Sequence, residues 1–159
     1  MMRQLFLPFL LLMLSACAGS PLKLEGVNRA VTPAMATGDK TYGNLRVVWG
    51  GMIVRTTPQK EHTQIEVLAY PVDSYGEPDR QAASQGRFLI ERQGYLEPAD
   101  FAAGRWISAV GTIGQPQIGK VGEASYRFPV LVPEQLYLWP QSSSSKTQTY
   151  FHFGIGIRL

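Results

Sequence analysis

Short strand-like runs, separated by turns that contain glycine and proline, limit how this chain can fold. The runs are rich in β-branched and aromatic residues, which favour strands, and they lie at 45–54, 63–72, 86–93, 106–113, 126–132 and 135–139. No segment shows the long apolar period of a helix. One short helix is predicted over residues 98–104, where Pro98 suits the first helical position and Gly104 suits the end. The pattern indicates an all-β domain.

The arrangement of these runs favours a small closed β-barrel. Gly50 and Gly51 lie inside the first run and indicate a bulge or a sharp bend there. The predicted helix falls between the third and fourth runs. A bent first strand and a helix before the fourth strand are the layout of an OB-like barrel. An SH3-like barrel and a β-sandwich also fit the pattern.

The amino terminus predicts export followed by lipid attachment. Arg3 precedes ten apolar residues at 5–14, too few to span a bilayer, which takes about 20, but typical of a secretory signal. The run ends in Leu-Ser-Ala-Cys at 14–17, which resembles the bacterial lipobox. We expect residues 1–16 to be a signal peptide and Cys17, the only cysteine, to carry fatty acyl chains such as palmitate. The alternative is an ordinary signal peptide followed by a free cysteine.

The remaining chain divides into three parts. Residues 17–41 are small, polar and without periodicity, and they predict a flexible lipidated tether with an extended reach of roughly 80 Å. Residues 42–141 hold the strand runs and form the predicted barrel domain. Residues 142–159 comprise a serine linker and a strictly alternating end, YFHFGIGIRL, which predicts an amphipathic strand. That strand would extend the barrel, pair with a partner or lie at a membrane.

The distribution of charge argues against a nucleic-acid partner. The whole chain has a formal net charge of +3, but residues 42–141 hold nine basic and ten acidic residues. The excess positive charge therefore belongs to the signal, the tether and the tail. A nucleic-acid-binding domain concentrates positive charge on its folded surface, so we expect no nucleic-acid partner.

Motifs that resemble catalytic or metal-binding sites are incomplete. Residues 114–120 match G-x-x-x-x-G-K, but Val121 stands where a phosphate loop has Ser or Thr for Mg²⁺. His62 and His152 lie far apart in the sequence and, without a free cysteine, make a poor metal set. The acidic residues at 73–79 are explained as turn formers. We therefore predict no metal site, no cofactor and no enzymatic activity.

Aromatic side chains on the strands are the candidates for ligand contact. Trp49, Tyr70 and Trp106 lie in the predicted strands, and aromatic faces on OB-like barrels stack against bases or sugars. Packing in the barrel core explains the same residues at least as well. The sequence leaves both interpretations open.

A series of short motifs along the predicted barrel is similar to one known family. Between residues 70 and 140 the chain reads YPVDSYGEPD, SQGRFL, GYLEP, GRW, VGTIG, GKVGE, YRFPV and LWP, in that order. With the lipobox, these motifs resemble the Slp family of starvation-inducible outer-membrane lipoproteins, over about residues 43–140. In such lipoproteins the residue after the lipobox cysteine decides the sorting. Here that residue is Ala18 and not Asp, which by analogy favours transfer to the outer membrane.

The resemblance implies a lipoprotein of the outer membrane that faces the periplasm, has no cofactor and is associated with carbon starvation, stationary phase and envelope stress. It implies no reaction. We therefore expect a non-enzymatic protein with a structural or interaction role, whose partners are the outer membrane and an envelope protein or polymer. The alternative is an OB-like module that binds a small or oligomeric ligand such as a glycan.

Overall fold

The structure is a computed structural model that describes residues 19–38 and 42–141. The predicted signal peptide, Cys17 and the tail after 141 lie outside the described residues. Within them, one helix and seven strands follow in the order α1 (Pro33–Gly38), β1 (Arg46–Pro58), β2 (His62–Tyr70), β3 (Arg87–Gln93), β4 (Trp106–Ile113), β5 (Gln117–Val121), β6 (Ala124–Phe128) and β7 (Val130–Leu138).

Five strands close into a barrel in the order β1-β2-β3-β7-β4, while β5 and β6 form a separate two-stranded hairpin. Neighbouring barrel strands are antiparallel except for β3 and β7, which pair in parallel at Leu89–Val130 and Ile90–Leu131. A five-stranded barrel of this kind is the OB-like architecture. The prediction of an all-β, OB-like barrel with one short helix is confirmed, and the barrel closes where a sandwich would not.

The glycine pair in β1 lets this strand serve two neighbours. Residues 46–52 of β1 pair with β4 and residues 50–58 pair with β2, so the strand is shared across its middle. A Cβ atom on Gly51 would lie 1.9 Å from the carbonyl oxygen of Leu68. Any side chain there would push β2 away, so glycine is required by the close approach of the two strands. The bulge predicted at the glycine pair lies instead between Ile53 and Arg55.

The one short helix of the described chain lies at Pro33–Gly38 and not at the predicted position, 98–104. Residues 98–101 form a turn, in which the amide of Phe101 donates to the carbonyl of Glu97. The helix does not continue because the next backbone groups bond to β1. The carbonyl of Phe101 accepts from Thr56 Oγ1 at 2.7 Å, and the amide of Gly104 donates to the carbonyl of Ile53 at 2.8 Å.

The barrel interior is filled by apolar side chains that point inward from its strands. Leu96 and Phe101, from the turn after β3, pack against this core at one end. The buried members are Val31, Ala36, Val47, Trp49, Ile53, Ile65, Val67, Ala69, Phe88, Ile90, Ile107, Ala109, Ile113 and Leu131.

Residues 19–38, here called the strap, lie against the barrel. The chain segment predicted as a tether, 17–41, includes them. Leu22 is only 4% exposed and packs with Val48 of β1 and Val110 of β4. Further along, the indole N–H of Trp49 donates to the carbonyl of Val31 at 2.7 Å. Most of the segment is thus held on the barrel surface. Across the described residues, no helix is long and apolar enough to cross a membrane.

Candidate functional site

The structure brings two of the three candidate aromatic residues together. Tyr70 and Trp106 are half-buried on the outer face of the barrel, with ring centroids 5.1 Å apart. Trp49 points to the opposite side of β1, is 3% exposed, and packs edge-on against Phe88 with centroids 5.3 Å apart. Of the three candidates, only Tyr70 and Trp106 therefore present ring surface to solvent.

A cation lies over this aromatic pair. The guanidinium carbon of Arg80 is 5.3 Å from the ring centroid of Trp106, within the range of a cation–π contact. Arg80 also donates to the carbonyl of Pro140 at 3.4 Å and lies 3.5 Å from the carboxylate of Glu77. A planar ligand ring could stack on Trp106 only if Arg80 moved away.

The face of β2 and β3, where OB-folds bind oligonucleotides and oligosaccharides, is covered by the β5–β6 hairpin. Leu89 of β3 is buried with Phe128 and Val130. The hydroxyl of Tyr126 accepts a hydrogen bond from the amide of Arg87 at 3.1 Å. The chain's own residues therefore occupy the surface that a ligand takes in other proteins of this architecture.

A glutamine on the hairpin extends this cover. The side-chain amide of Gln117, on β5, donates to the carboxylate of Glu91 and accepts from Gln64 at 3.1 Å. Polar bonds and apolar burial thus hold the hairpin on β2 and β3 together. The hairpin also accounts for the motif at 114–120, because residues 117–121 form a strand and not a phosphate loop.

A buried carboxylate beneath the hairpin was not indicated by the sequence motifs. Glu66 is 5% exposed, and its two oxygens lie 3.0 Å from Arg55 and 2.5 Å from Arg87. Both arginines come from the neighbouring strands β1 and β3. The only signal in the sequence is one acidic residue in a mostly apolar strand, and its partners follow from the strand register alone.

The acidic turn after β2 uses its carboxylates on its own backbone. Asp73 Oδ1 accepts from the amides of Tyr75 at 2.8 Å and Glu77 at 2.9 Å, and Asp79 Oδ1 accepts from the amide of Gln81 at 3.0 Å. This geometry is that of turn formers. Among residues 19–38 and 42–141, no group of three or more His, Cys, Asp and Glu side chains is placed to hold a metal ion.

A buried serine clasps this turn to the barrel. Ser108 Oγ donates to the carbonyl of Gly76 at 2.6 Å and accepts from the indole N–H of Trp139 at 2.9 Å. Gly50 lies beneath the same loop, since a Cβ there would come within 3.0 Å of Ser108, Pro78 and Val72. The long turn-rich segment between β2 and β3 is therefore fixed on the outer face.

The remaining ionisable residues give weaker signals. His62 lies 3.9 Å from Glu91, and His152 lies outside the described residues. The hydrogen bond that Tyr95 donates to Glu97 raises the pKa of the Tyr95 hydroxyl above its ordinary value, because the neutral phenol is the donor. Both residues are exposed and pin the loop after β3.

The concave sites beside the aromatic pair and beside the loop at 113–116 are small compared with ordinary ligand pockets, while a wider surface depression of about 350 Å³ lies at the acidic turn between Asp73 and Gln81. A cavity of about 110 Å³ is lined by residues of the strap and by Trp49 and Tyr70. A second cavity of about 120 Å³ lies between the loop at 113–116 and Arg127. Ligand pockets usually measure about 300–1,000 Å³. The aromatic pair therefore offers an open surface and not an enclosing pocket.

A filled barrel with its usual ligand face covered by its own hairpin, and with an amino-terminal strap that begins against β1 and β4, defines an OB-like scaffold. The chain belongs to the outer membrane lipoprotein Slp family, whose model matches residues 14–155. The match begins in the lipobox-like sequence and ends in the alternating tail, so it extends the predicted resemblance over 43–140 in both directions.

Similar proteins agree with this assignment. An uncharacterized protein of Haemophilus influenzae is 32% identical over 147 residues, which are 88% of this chain and 78% of that protein. Outer membrane protein Slp of Escherichia coli K12 is 27% identical over 131 residues, 80% of this chain and 69% of that protein. The uncharacterized lipoprotein YeaY of the same organism is 30% identical over 125 residues, 76% of this chain and 63% of that protein.

The comparison with solved structures is weaker. The crystal structure of Schizosaccharomyces pombe Pot1pC bound to ssDNA covers 74% of this chain and 88% of that chain at 10% identity, with a TM-score of 0.35. A likeness at that score carries no argument about function. The family model and the similar proteins together identify an outer-membrane lipoprotein homologue.

Proposed function

We propose that this protein is anchored in the outer membrane by acyl chains on Cys17, faces the periplasm, and acts by binding an envelope protein or polymer and not by catalysis. The observation that carries the proposal is the self-covered ligand face, in which Leu89 is buried under Phe128 and Val130. Because the barrel is closed to the usual ligands of its architecture, its outer surface is the part suited to bind a macromolecular partner. A link to starvation or envelope stress follows from the family resemblance.

The outward face of the hairpin is the surface we assign to the partner. Ile118 is 70% exposed, the highest value among the exposed large apolar residues of the described chain. Its cross-strand neighbour is Arg127. The next pair on the same outward face is Lys120 with Ser125. An exposed apolar side chain with two flanking cations fits a partner whose surface is apolar and acidic.

The partner surface is tested by site-specific photo-crosslinking in intact cells. A photoreactive residue at position 118 is expected to capture a defined partner. In a second protein, with the photoreactive residue at position 120, Ile118→Glu is expected to reduce the yield of the crosslink. A photoreactive residue at Met35, which is exposed on α1, is the matched control. Equal capture from both positions would contradict a role for the hairpin face.

The anchor is tested separately. Cys17→Ser removes the thiol that accepts the lipid, so labelled fatty acid should no longer be incorporated and the protein should leave the membrane fraction. Ser20→Ala keeps the lipobox-like residues and is expected to stay acylated. A Cys17→Ser protein that still incorporates fatty acid and fractionates with the outer membrane would show that the anchor lies elsewhere.

A second candidate function rests on the Tyr70–Trp106 pair. The two rings are in contact at an interplanar angle of 60° and are half-exposed, and an aromatic surface of this kind binds sugar rings in some OB-folds. In that case soluble envelope glycans should quench tryptophan fluorescence, and Trp106→Ala should abolish the effect while Trp139→Phe keeps it. An unchanged spectrum over the full range of glycan concentration would leave the hairpin surface as the assigned function.

A further inference from the structure

The beginning of the strap sets the distance between the barrel and the acylated residue of the proposed function, on which this inference rests. Ser20 Oγ donates to the carbonyl of Tyr75 at 2.7 Å, and Leu22 is buried against Val48. The chain is therefore attached to the barrel from Ser20 onward. Only three peptide units separate Cys17 from Ser20, a span of at most about 11 Å at 3.8 Å per residue.

This span is short beside both the protein and the membrane surface. A domain of 100 residues has a radius of gyration of about 13 Å. The acyl chains hold Cys17 at the edge of the hydrocarbon, and the polar layer on each side of a bilayer is about 5–7 Å thick. About half of the available span is used to cross that layer, so the barrel cannot stand away from the headgroups.

We propose that the turn at residues 73–76, beside the start of the strap, rests against the phospholipid headgroups. Tyr75 at the centre of this turn is 52% exposed. A tyrosine has an apolar ring and a polar hydroxyl, and it is enriched at the interface between hydrocarbon and water. Because the anchor is so close, the surface that contacts the exposed ring of Tyr75 is the lipid surface.

The charges around the turn are compatible with phosphate groups. Arg29 donates to the carbonyls of Asp73 and Ser74, both at 3.1 Å, so its guanidinium lies at the turn. Lys23 is exposed on the strap nearby. Of the acidic groups, Asp73 accepts bonds from the turn's own amides, and Glu77 lies 3.5 Å from Arg80. Arg29 keeps its positive charge because its partners are neutral carbonyls, while the exposed Glu25 on the strap balances Lys23.

The orientation is measured with a nitroxide label on the acylated full-length protein in vesicles of phosphatidylethanolamine and phosphatidylglycerol. Lipid attachment consumes the thiol of Cys17, so Tyr75→Cys provides the one free thiol of the chain. Tyr95→Cys is the matched control, because Tyr95 is also exposed and follows the end of β3, at the opposite end of the barrel from the β2–β3 turn. We expect the label at 75 to be more accessible to oxygen, which partitions into lipid, and the label at 95 to a water-soluble nickel chelate.

A longer connection isolates the effect of the short span. An insertion of about ten Gly and Ser residues between Ala18 and Gly19 adds a random-coil distance of about 17 Å and leaves the lipobox-like residues intact. The label at 75 should then become accessible to the nickel chelate. An unchanged lipid signal after the insertion would overturn the argument from the short span.

The possible failures are distinguishable. An acylated protein that floats with the vesicles but shows an aqueous label at 75 overturns the orientation and leaves the proposed anchor in place. The same holds if the labels at 75 and 95 respond alike. A protein whose mass shows no acyl chains overturns the anchor and, with it, this inference.

Discussion

At the scale of single residues, Ser108 has more structural consequence than its size suggests. Its hydroxyl is fully buried and joins Gly76 in the β2–β3 loop to Trp139 after β7. We expect Ser108→Ala to lower the free energy of unfolding by about 2 kcal/mol, because a buried indole N–H and a buried carbonyl lose their partner. Urea denaturation measures this loss.

The control for this prediction is another serine on a strand. Ser125 on β6 is exposed, and Ser125→Ala is expected to change the free energy of unfolding by less than about 0.5 kcal/mol. A similar small change for Ser108→Ala would mean that the loop is not held through this hydroxyl.

Glu66 makes a second prediction at the residue scale. It accepts from Arg55 and Arg87 while it is itself buried. Glu66→Gln removes the buried charge and leaves two arginines facing a neutral amide, so we expect a loss of about 2 kcal/mol in urea denaturation. Glu134→Gln breaks the more exposed pair with Arg46 and should cost less than about 1 kcal/mol. The reverse order of the two losses would contradict the importance of burial here.

The residue scale also shows where prediction from sequence stops. Trp49 stands in an uninterrupted apolar run, Val47 to Gly51, so alternation cannot assign its side of the strand, and the choice between ligand contact and core was open. Tyr70 and Trp106 meet because β2 and β4 both pair with β1, which is a property of the topology. The ion pair of Glu66 depends on register in the same way. Contacts that depend on which strands pair, and in which register, cannot be read from a local sequence pattern.

At the scale of elements, the hairpin β5–β6 separates this barrel from an open OB-like binding module. Phe128 is 4% exposed and packs with Leu89 and Val130. We expect Phe128→Ala to lower the free energy of unfolding by about 3 kcal/mol, because it leaves a cavity at the contact between hairpin and barrel. Faster hydrogen exchange of the β5 amides should accompany the loss.

The matched control lies on the outward face of the same hairpin. Ile118→Ala removes an exposed side chain and should change stability by less than about 0.5 kcal/mol, with unchanged exchange of the β5 amides. If Phe128→Ala behaved like this control, the hairpin would not depend on its apolar underside.

Elements were predicted from sequence with uneven success, and the differences have physical causes. Most strand runs were correct because β propensity acts locally, but the strand at 117–121 was missed. The bulge expected at Gly50 and Gly51 lies further along β1, between Ile53 and Arg55. Both 33–38 and 98–104 begin with a suitable proline and end with a glycine. Only the first became a helix, since Thr56 and Ile53 take the backbone groups of the second segment. Helix signals in the local sequence do not show that β1 will compete for these backbone hydrogen bonds.

At the scale of the whole molecule, the strap changes the relation between barrel and membrane. Its apolar residues are spaced without the period of a strand or a helix: Leu22, Leu24, Val27 and Val31. The sequence therefore suggested a free tether with a reach of roughly 80 Å. The hydrogen bond from Ser20 to Tyr75, next to the buried Leu22, shortens the distance that a lipid anchor at Cys17 allows to at most about 11 Å.

The contribution of the strap to the whole fold is the last prediction. A soluble protein that lacks residues 1–18 keeps every strap contact that the structure describes and should unfold in one cooperative transition. A protein that lacks residues 1–28 loses the burial of Leu22 and the bond from Asn28 to Arg46. Val48 and Val110 then face water, so we expect a loss of about 2–3 kcal/mol with an unchanged far-ultraviolet spectrum of the barrel. Urea denaturation of the two proteins side by side measures it, and equal midpoints would show that the strap lies on the barrel without stabilising it.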